Sequence, residues 1–256
     1  MTIKRYKLKP KMSLKITLNY SPNFEPIKRK LGQIKFIVFH YTGMKKESEA
    51  INRLTDIQSE VSSHYLIKNN GEIVCLVPDL YIAWHAGISS WKNYRSLNKN
   101  SIGIEISNPG HSFKYKKFSK KQINSIQSLS KFLIKKYKIK SKNFLGHSDV
   151  SPTRKKDPGE KFPWKHLSKY KIGNWHSLNK DFLFKRRNLK TNNIEKKFFF
   201  KNLIKVGYIE NLKNIKGKYS DLVTIAFQRR YRQEKISGII DQECLIISKN
   251  LAKNLS

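Results

Sequence analysis

The sequence predicts an α/β protein with a small three-helix module at its C-terminal end. Two features of the chain predict it. Through the first 160 residues, short β-branched and aromatic runs with a period of two alternate with stretches of helical period, and beyond about residue 182 three short amphipathic segments follow instead. The length agrees, because 256 residues suit one larger unit and a small one rather than three domains.

Residues 1–30 are punctuated by Lys and Pro without clear periodicity and read as an irregular lead-in. The first strong element is Ile34-Lys35-Phe36-Ile37-Val38-Phe39-His40, a buried strand by composition, whose alternation puts Phe36, Val38 and His40 on one face. After a turn at Thr42-Gly43, Ala50, Ile51, Leu54 and Ile57 recur at helical spacing. Residues 65–68 and 72–77, joined by Asn69-Asn70-Gly71, form a β-hairpin pattern. A further strand over 101–107 has Ile102, Ile104 and Ile106 on one face and Gly103, Glu105 and Ser107 on the other. Ser119-Lys120-Lys121-Gln122 has the form of a capping box, and Ile123, Ile126, Leu133, Ile134 and Tyr137 continue it as a helical stripe. A polar loop over 146–163 closes this unit. The C-terminal segments carry stripes of Ile194, Phe198, Phe199 and Leu203, then Leu222, Ile225 and Ala226, then Cys244, Ile247 and Leu251. The chain thus divides into the lead-in at 1–30, a larger unit at 31–175, a linker at 176–193 and a helical module at 194–256.

Composition narrows the chemistry. The net charge of +35 favours a polyanionic partner without choosing among nucleic acid, an anionic membrane surface and anionic wall polymer. The lysines are spread along the whole chain, which fits solvated faces at least as well as a binding stripe. No apolar run approaches the roughly 18 residues of a membrane helix, and the N-terminus lacks the apolar core of a secretory signal, so a cytoplasmic monomer is expected. The two cysteines, Cys75 and Cys244, fall in different units, which leaves His and carboxylates as the groups able to hold a metal.

Three such residues stand out. His40 ends a strand, and His147 and Asp157 lie in a loop too rich in turn formers to pack a core. Two imidazoles and a carboxylate, with a fourth position open, make a catalytic zinc site, although spacing alone fits a structural histidine as well.

Phe39-His40-Tyr41-Thr42, Ser63-His64-Tyr65-Leu66-Ile67, Ala83-Trp84-His85-Ala86-Gly87, Ser101-Ile102-Gly103-Ile104-Glu105 and Gly146-His147-Ser148-Asp149 through Lys155-Lys156-Asp157-Pro158-Gly159 occur in one order. Over about residues 21–170 the chain therefore resembles the type-2 N-acetylmuramoyl-L-alanine amidases, in particular their anhydro-muramyl peptide branch. The resemblance implies a mixed β-sheet flanked by helices with Zn2+ at the end of the sheet, making residues 31–175 a zinc amidase domain. It implies His40, His147 and Asp157 as the zinc ligands, with Asp149 the alternative carboxylate. Glu105 would be the general base and Lys155 the cation that stabilises the developing oxyanion. Trp84, His85, Ala86 and Gly87 would line the substrate cleft, and His64 would support the fold. The substrate would be peptidoglycan or a muropeptide, cut between the lactyl group of N-acetylmuramic acid and L-alanine. Some relatives place a tyrosine about a dozen residues after the first ligand, where this chain has Asn52. Ala226-Phe227-Gln228-Arg229-Arg230-Tyr231 and Gly238-Ile239-Ile240-Asp241 resemble the peptidoglycan-binding three-helix domain, the alternative being a helical cap over the catalytic unit. Two rival readings stand beside this one: a peptidoglycan recognition protein without turnover, and a basic nucleic-acid binder, against which counts the absence of any recognisable nucleic-acid motif.

Overall fold

A computed structural model describes residues 14–254; positions 1–13 of the expected lead-in and 255–256 of the helical module lie outside the described residues. The central sheet has six strands: β1 (Thr17–Leu18), β2 (Phe36–Phe39), β3 (Tyr65–Ile67), β4 (Ile73–Cys75), β5 (Ser101–Ile106) and β6 (Phe144–Gly146). They are ordered β1-β4-β3-β5-β2-β6. The hairpin pair β3-β4 is antiparallel and the other neighbours are parallel, so the sheet is mixed, as expected. Three of the parallel strands, β5, β2 and β6, lie side by side and end together at the edge where the site forms.

Both faces of the sheet are covered because both sides of the strands are apolar. On one side Ile37, Phe39, Ile102, Ile104 and Phe144 pack against Ile126, Leu129 and Leu133 of α2 (Lys120–Tyr137). That helix starts as its sequence indicates, with the Ser119 side chain accepting the Gln122 N–H and Gln122 returning a bond to the Ser119 N–H. On the opposite face α1 (Glu47–Thr55) covers Leu66 and Val74 through Leu54. The rest of that face is closed by the C-terminal helices α4 (Asn193–Val206), α5 (Gly217–Tyr231) and α6 (Gln242–Lys253). Here Phe36, Val38 and Leu145 of the sheet share one core with Phe199, Leu203, Phe227, Ile247 and Leu251.

Several expected stripes are rotated. Ile194 and Phe198 are exposed, and α4 packs through Phe199, Phe200, Leu203 and Val206. On α5, Leu222 and Ile225 are only half-buried, whereas Val223, Ala226, Phe227, Arg230 and Tyr231 are buried. A short segment offers two apolar arcs, and the arc facing the sheet is the one the fold buries. Ile57 is exposed because α1 stops at Thr55, and Asp56 then caps a 3-10 turn through the Gln58 N–H. The loop expected from residue 146 begins with one helical turn, α3 (His147–Val150).

The end of the lead-in is also structured. β1 pairs with β4, and Phe24–Glu25 pairs with Ile82–Ala83. Arg29 is buried and donates to the carbonyls of Asn98, Ser101 and Asp79, which sequence periodicity could not reveal. Among the described residues no helix is long and apolar enough to cross a membrane.

Candidate metal centre and cleft

His40 follows β2 directly, His147 opens α3 just after β6, and Asp157 lies ten positions further on. The parallel pairing of β2 with β6 sets Phe39 opposite Gly146, which brings the two histidines together. Asp157 is fixed by its backbone carbonyl, which accepts the Ser148 N–H at 2.8 Å. His40 Nδ1 lies 2.9 Å from His147 Nδ1, and Asp157 Oδ2 lies 3.0 Å from each. All three residues are buried, and the cluster forms the floor of a cleft of about 460 Å³.

Hydrogen bonds behind the cluster fix which atoms face it. The Ser101 hydroxyl donates to the Leu97 carbonyl at 2.6 Å, so its oxygen accepts from His85 Nε2 at 3.1 Å. The neutral His85 ring is then an acceptor at Nδ1 and receives the His40 Nε2–H at 3.1 Å. His147 Nε2–H donates to the Ala86 carbonyl at 3.1 Å. With their outer nitrogens occupied, both rings turn Nδ1 toward the carboxylate. Three lone-pair atoms within 3.0 Å of one another repel unless a cation sits among them, and two imidazole nitrogens with a carboxylate oxygen suit a transition-metal ion. The residues present therefore fit a metal.

Electrostatics point the same way. Burial, reinforced by the neighbouring His147, lowers His40 to about 4, which leaves its ring neutral and able to act as a ligand. His85 is held far below an ordinary histidine by burial and by the adjoining rings of His40, His64 and His147.

Glu105 sits on β5, on the face away from Ile104 and Ile106, and opens onto the cleft. Its Oε2 atom is enclosed without a hydrogen-bond partner, and burial together with the Asp157 charge raises the carboxyl to about 8, against the pull of Lys155. Lys155 lines the same cleft beside Arg154 and Lys156.

Of the four residues expected to line the cleft, Trp84 and His85 do so. Ala86 is buried in the core with its carbonyl on His147, and Gly87, at φ +55°, packs against the Arg154 guanidinium. His64 is buried beneath the site, accepting the Gly103 N–H at Nδ1, a supporting position. Asp149, the alternative carboxylate, turns away onto Tyr208 and Arg230. Asn52 is exposed, while its neighbour Arg53 borders the cleft. Sequence inspection did not single out Tyr41 and His111, which meet across the cleft wall at 2.9 Å; the adjacency of Tyr41 to His40 was the signal available.

Fold and site together define a mixed-sheet protein with a buried His-His-Asp cluster fit to hold a metal ion and an isolated carboxyl group beside it. Residues 30–160, just over half of the chain, match the family model described as N-acetylmuramoyl-L-alanine amidase, and the chain belongs to that family. It is 43% identical over 138 residues to the N-acetylmuramoyl-L-alanine amidase AmiD of Escherichia coli, a match covering 49% of this chain and 49% of that protein. The chain thus spans about half the length of that curated relative. It is also similar to the solved complex of Escherichia coli AmiD with the substrate anhydro-N-acetylmuramic acid-L-Ala-D-γ-Glu-L-Lys. There the TM-score is 0.77 at 34% identity, with 87% of this chain and 90% of that one covered. AmpDH3 of Pseudomonas aeruginosa, solved in complex with anhydromuramic pentapeptide, is similar at a TM-score of 0.75 and 27% identity over 99% of this chain and 98% of that one.

Proposed function

We propose that this protein is a zinc-dependent N-acetylmuramoyl-L-alanine amidase that cuts the lactyl–L-alanine amide of anhydro-muropeptides. The observation that carries it is the convergence of His40 Nδ1, His147 Nδ1 and Asp157 Oδ2 on one point at the floor of the cleft, beside a carboxyl group with a raised pKa. Zinc held there would polarise the scissile carbonyl and lower the pKa of bound water toward about 7. Glu105 takes the proton of the attacking water and delivers it to the leaving nitrogen of L-alanine; its enclosed, raised carboxyl suits both halves of that transfer. Lys155 faces the carbonyl oxygen as negative charge builds on it, an interaction stronger in the transition state than in the bound substrate. Trp84 walls the cleft, and His85 acts from behind by holding His40.

The substrate class is supported by the two similar structures, whose bound molecules are anhydro-muramyl peptides. The test is release of free stem peptide from an anhydro-muropeptide by the purified protein, followed by liquid chromatography. Activity should disappear on chelation, return with Zn2+, and be absent from His147→Ala. Unchanged turnover after both chelation and that substitution would overturn the assignment.

A further inference from the structure

Asp149 lies only two residues beyond His147, yet its carboxylate is spent on the C-terminal helices. Its Oδ1 accepts the Tyr208 hydroxyl at 2.5 Å, and its Oδ2 accepts Arg230 Nη1 at 2.5 Å and the Gly146 N–H at 2.7 Å. Arg230 Nη2 donates in addition to the Phe144 carbonyl at 2.9 Å. Asp149, Tyr208 and Arg230 are all buried, and the Arg230 guanidinium lies 4.0 Å above the Trp164 ring. Tyr208 stands just past the end of α4, and Arg230 is on α5.

The two partners therefore bracket a metal-cluster residue. Arg230 grips the backbone three positions before His147 and the carboxylate two positions after it. Asp149 closes the loop by capping the Gly146 N–H at the start of α3, the single turn whose first residue is His147. A four-residue helix has too few internal bonds to hold its own orientation, so these outside contacts hold the backbone from which the His147 ring projects, while the bond from its Nε2–H to the Ala86 carbonyl fixes the ring's rotation.

We infer that Arg230 and Tyr208 are positioning residues for the metal centre, acting through Asp149 on His147, so that the C-terminal helices contribute to metal affinity as well as covering the sheet. This rests on reading the His40, His147 and Asp157 cluster as a metal centre. A residue need not touch the ion to affect its binding, since outer partners that orient a ligand commonly change affinity about 10- to 100-fold.

The test compares the full chain with Tyr208→Phe, Arg230→Lys, Arg230→Met and, as a packing control, Leu251→Ala in the same core. Zn2+ affinity is read by competition with a chromophoric chelator, and ligand geometry from the visible spectrum of the Co2+-loaded protein. Arg230→Met should bind about 10- to 100-fold more weakly with an altered Co2+ spectrum. Tyr208→Phe, which removes one hydroxyl, should show a smaller loss in the same direction, and Arg230→Lys should recover part of it. Leu251→Ala should unfold at a lower temperature while keeping the parent affinity and spectrum. Parent-like affinity and spectrum in Tyr208→Phe and in the folded Arg230 variants would overturn the inference; so would an equal loss in Leu251→Ala. Should the Arg230 variants not fold, Tyr208→Phe decides alone. A parent protein that binds neither ion overturns the metal-centre reading itself, an outcome seen before any variant is compared.

Discussion

Glu105 shows what one residue's surroundings do to its chemistry. Away from the apolar face of β5 it would be an ordinary surface carboxylate, but its Oε2 is enclosed and unpartnered, and burial next to Asp157 raises it to about 8. Glu105→Gln keeps the shape and removes the proton acceptor. The expected outcome is a fall in kcat of about 100- to 10,000-fold with metal content unchanged, measured by steady-state kinetics and metal analysis. His64 makes a contrasting expectation, one about stability. Burial first, and the nearby Arg29 charge second, lower its pKa from 6.5 to about 3. Between those values the unfolded chain binds a proton that the folded chain refuses, so stability falls as pH falls through that window. Melting temperatures of the chelator-treated protein should drop between pH 6.5 and 3, and the slope should be shallower in His64→Gln; equal slopes would contradict this.

At the scale of elements, the close approach of β5 to the loop carrying His85 is the tightest constraint. A Cβ added to Gly103 would lie 2.4 Å from His85 Cγ, which is inside any permitted contact, and the Gly103 N–H also serves His64. Gly103→Ala must push His85 off His40. It should cost about 1–3 kcal/mol of stability, read by denaturant unfolding, and should weaken Zn2+ binding in the competition assay as well. Stability lost with full metal affinity retained would show that His85 does not hold His40. Four of the six sheet strands and the longer helices were legible in the sequence, whereas β1 and β6, the latter leading into His147, were not. The hairpin, the strand at 101–107 and the helix capped by Ser119 rest on local signals: turn residues, alternation and a capping box. The rotated stripes of α4 and α5 were not, because which arc of a helix is buried depends on the sheet it meets.

For the whole molecule, the decisive fact is that one core runs from Phe36, Val38 and Leu145 through Phe199, Phe227 and Leu251. The intervening segment is packed too, with Leu183 in that core and Arg187 paired with Glu243 at 2.7 Å. We propose residues 31–175 and 194–256 as sequence units joined by 176–193, but expect them to melt together. Calorimetry of the full chain should show a single transition; two resolved transitions would contradict the shared core. A chain ending at residue 175 would expose Phe36, Val38, Leu145 and Val150 and is expected to aggregate on expression, checked by solubility and light scattering.

By itself the sequence determined the α/β class, four of the six sheet strands and the residue types that converge, since strand alternation, turn formers and the ordered His, Glu, His and Asp motifs are local or directly comparable with a family; β1 and β6, two short strands at the ends of the sheet order, carried no such signal. The tertiary structure alone decided that Asp149, the alternative carboxylate, turns onto Tyr208 and Arg230, that His85 bonds His40 from behind, and that Arg29 and Arg230 are buried. The physical reason is the same in each case. A side chain's direction and ionisation follow from the partners that surround it, and here those partners come from positions tens of residues away.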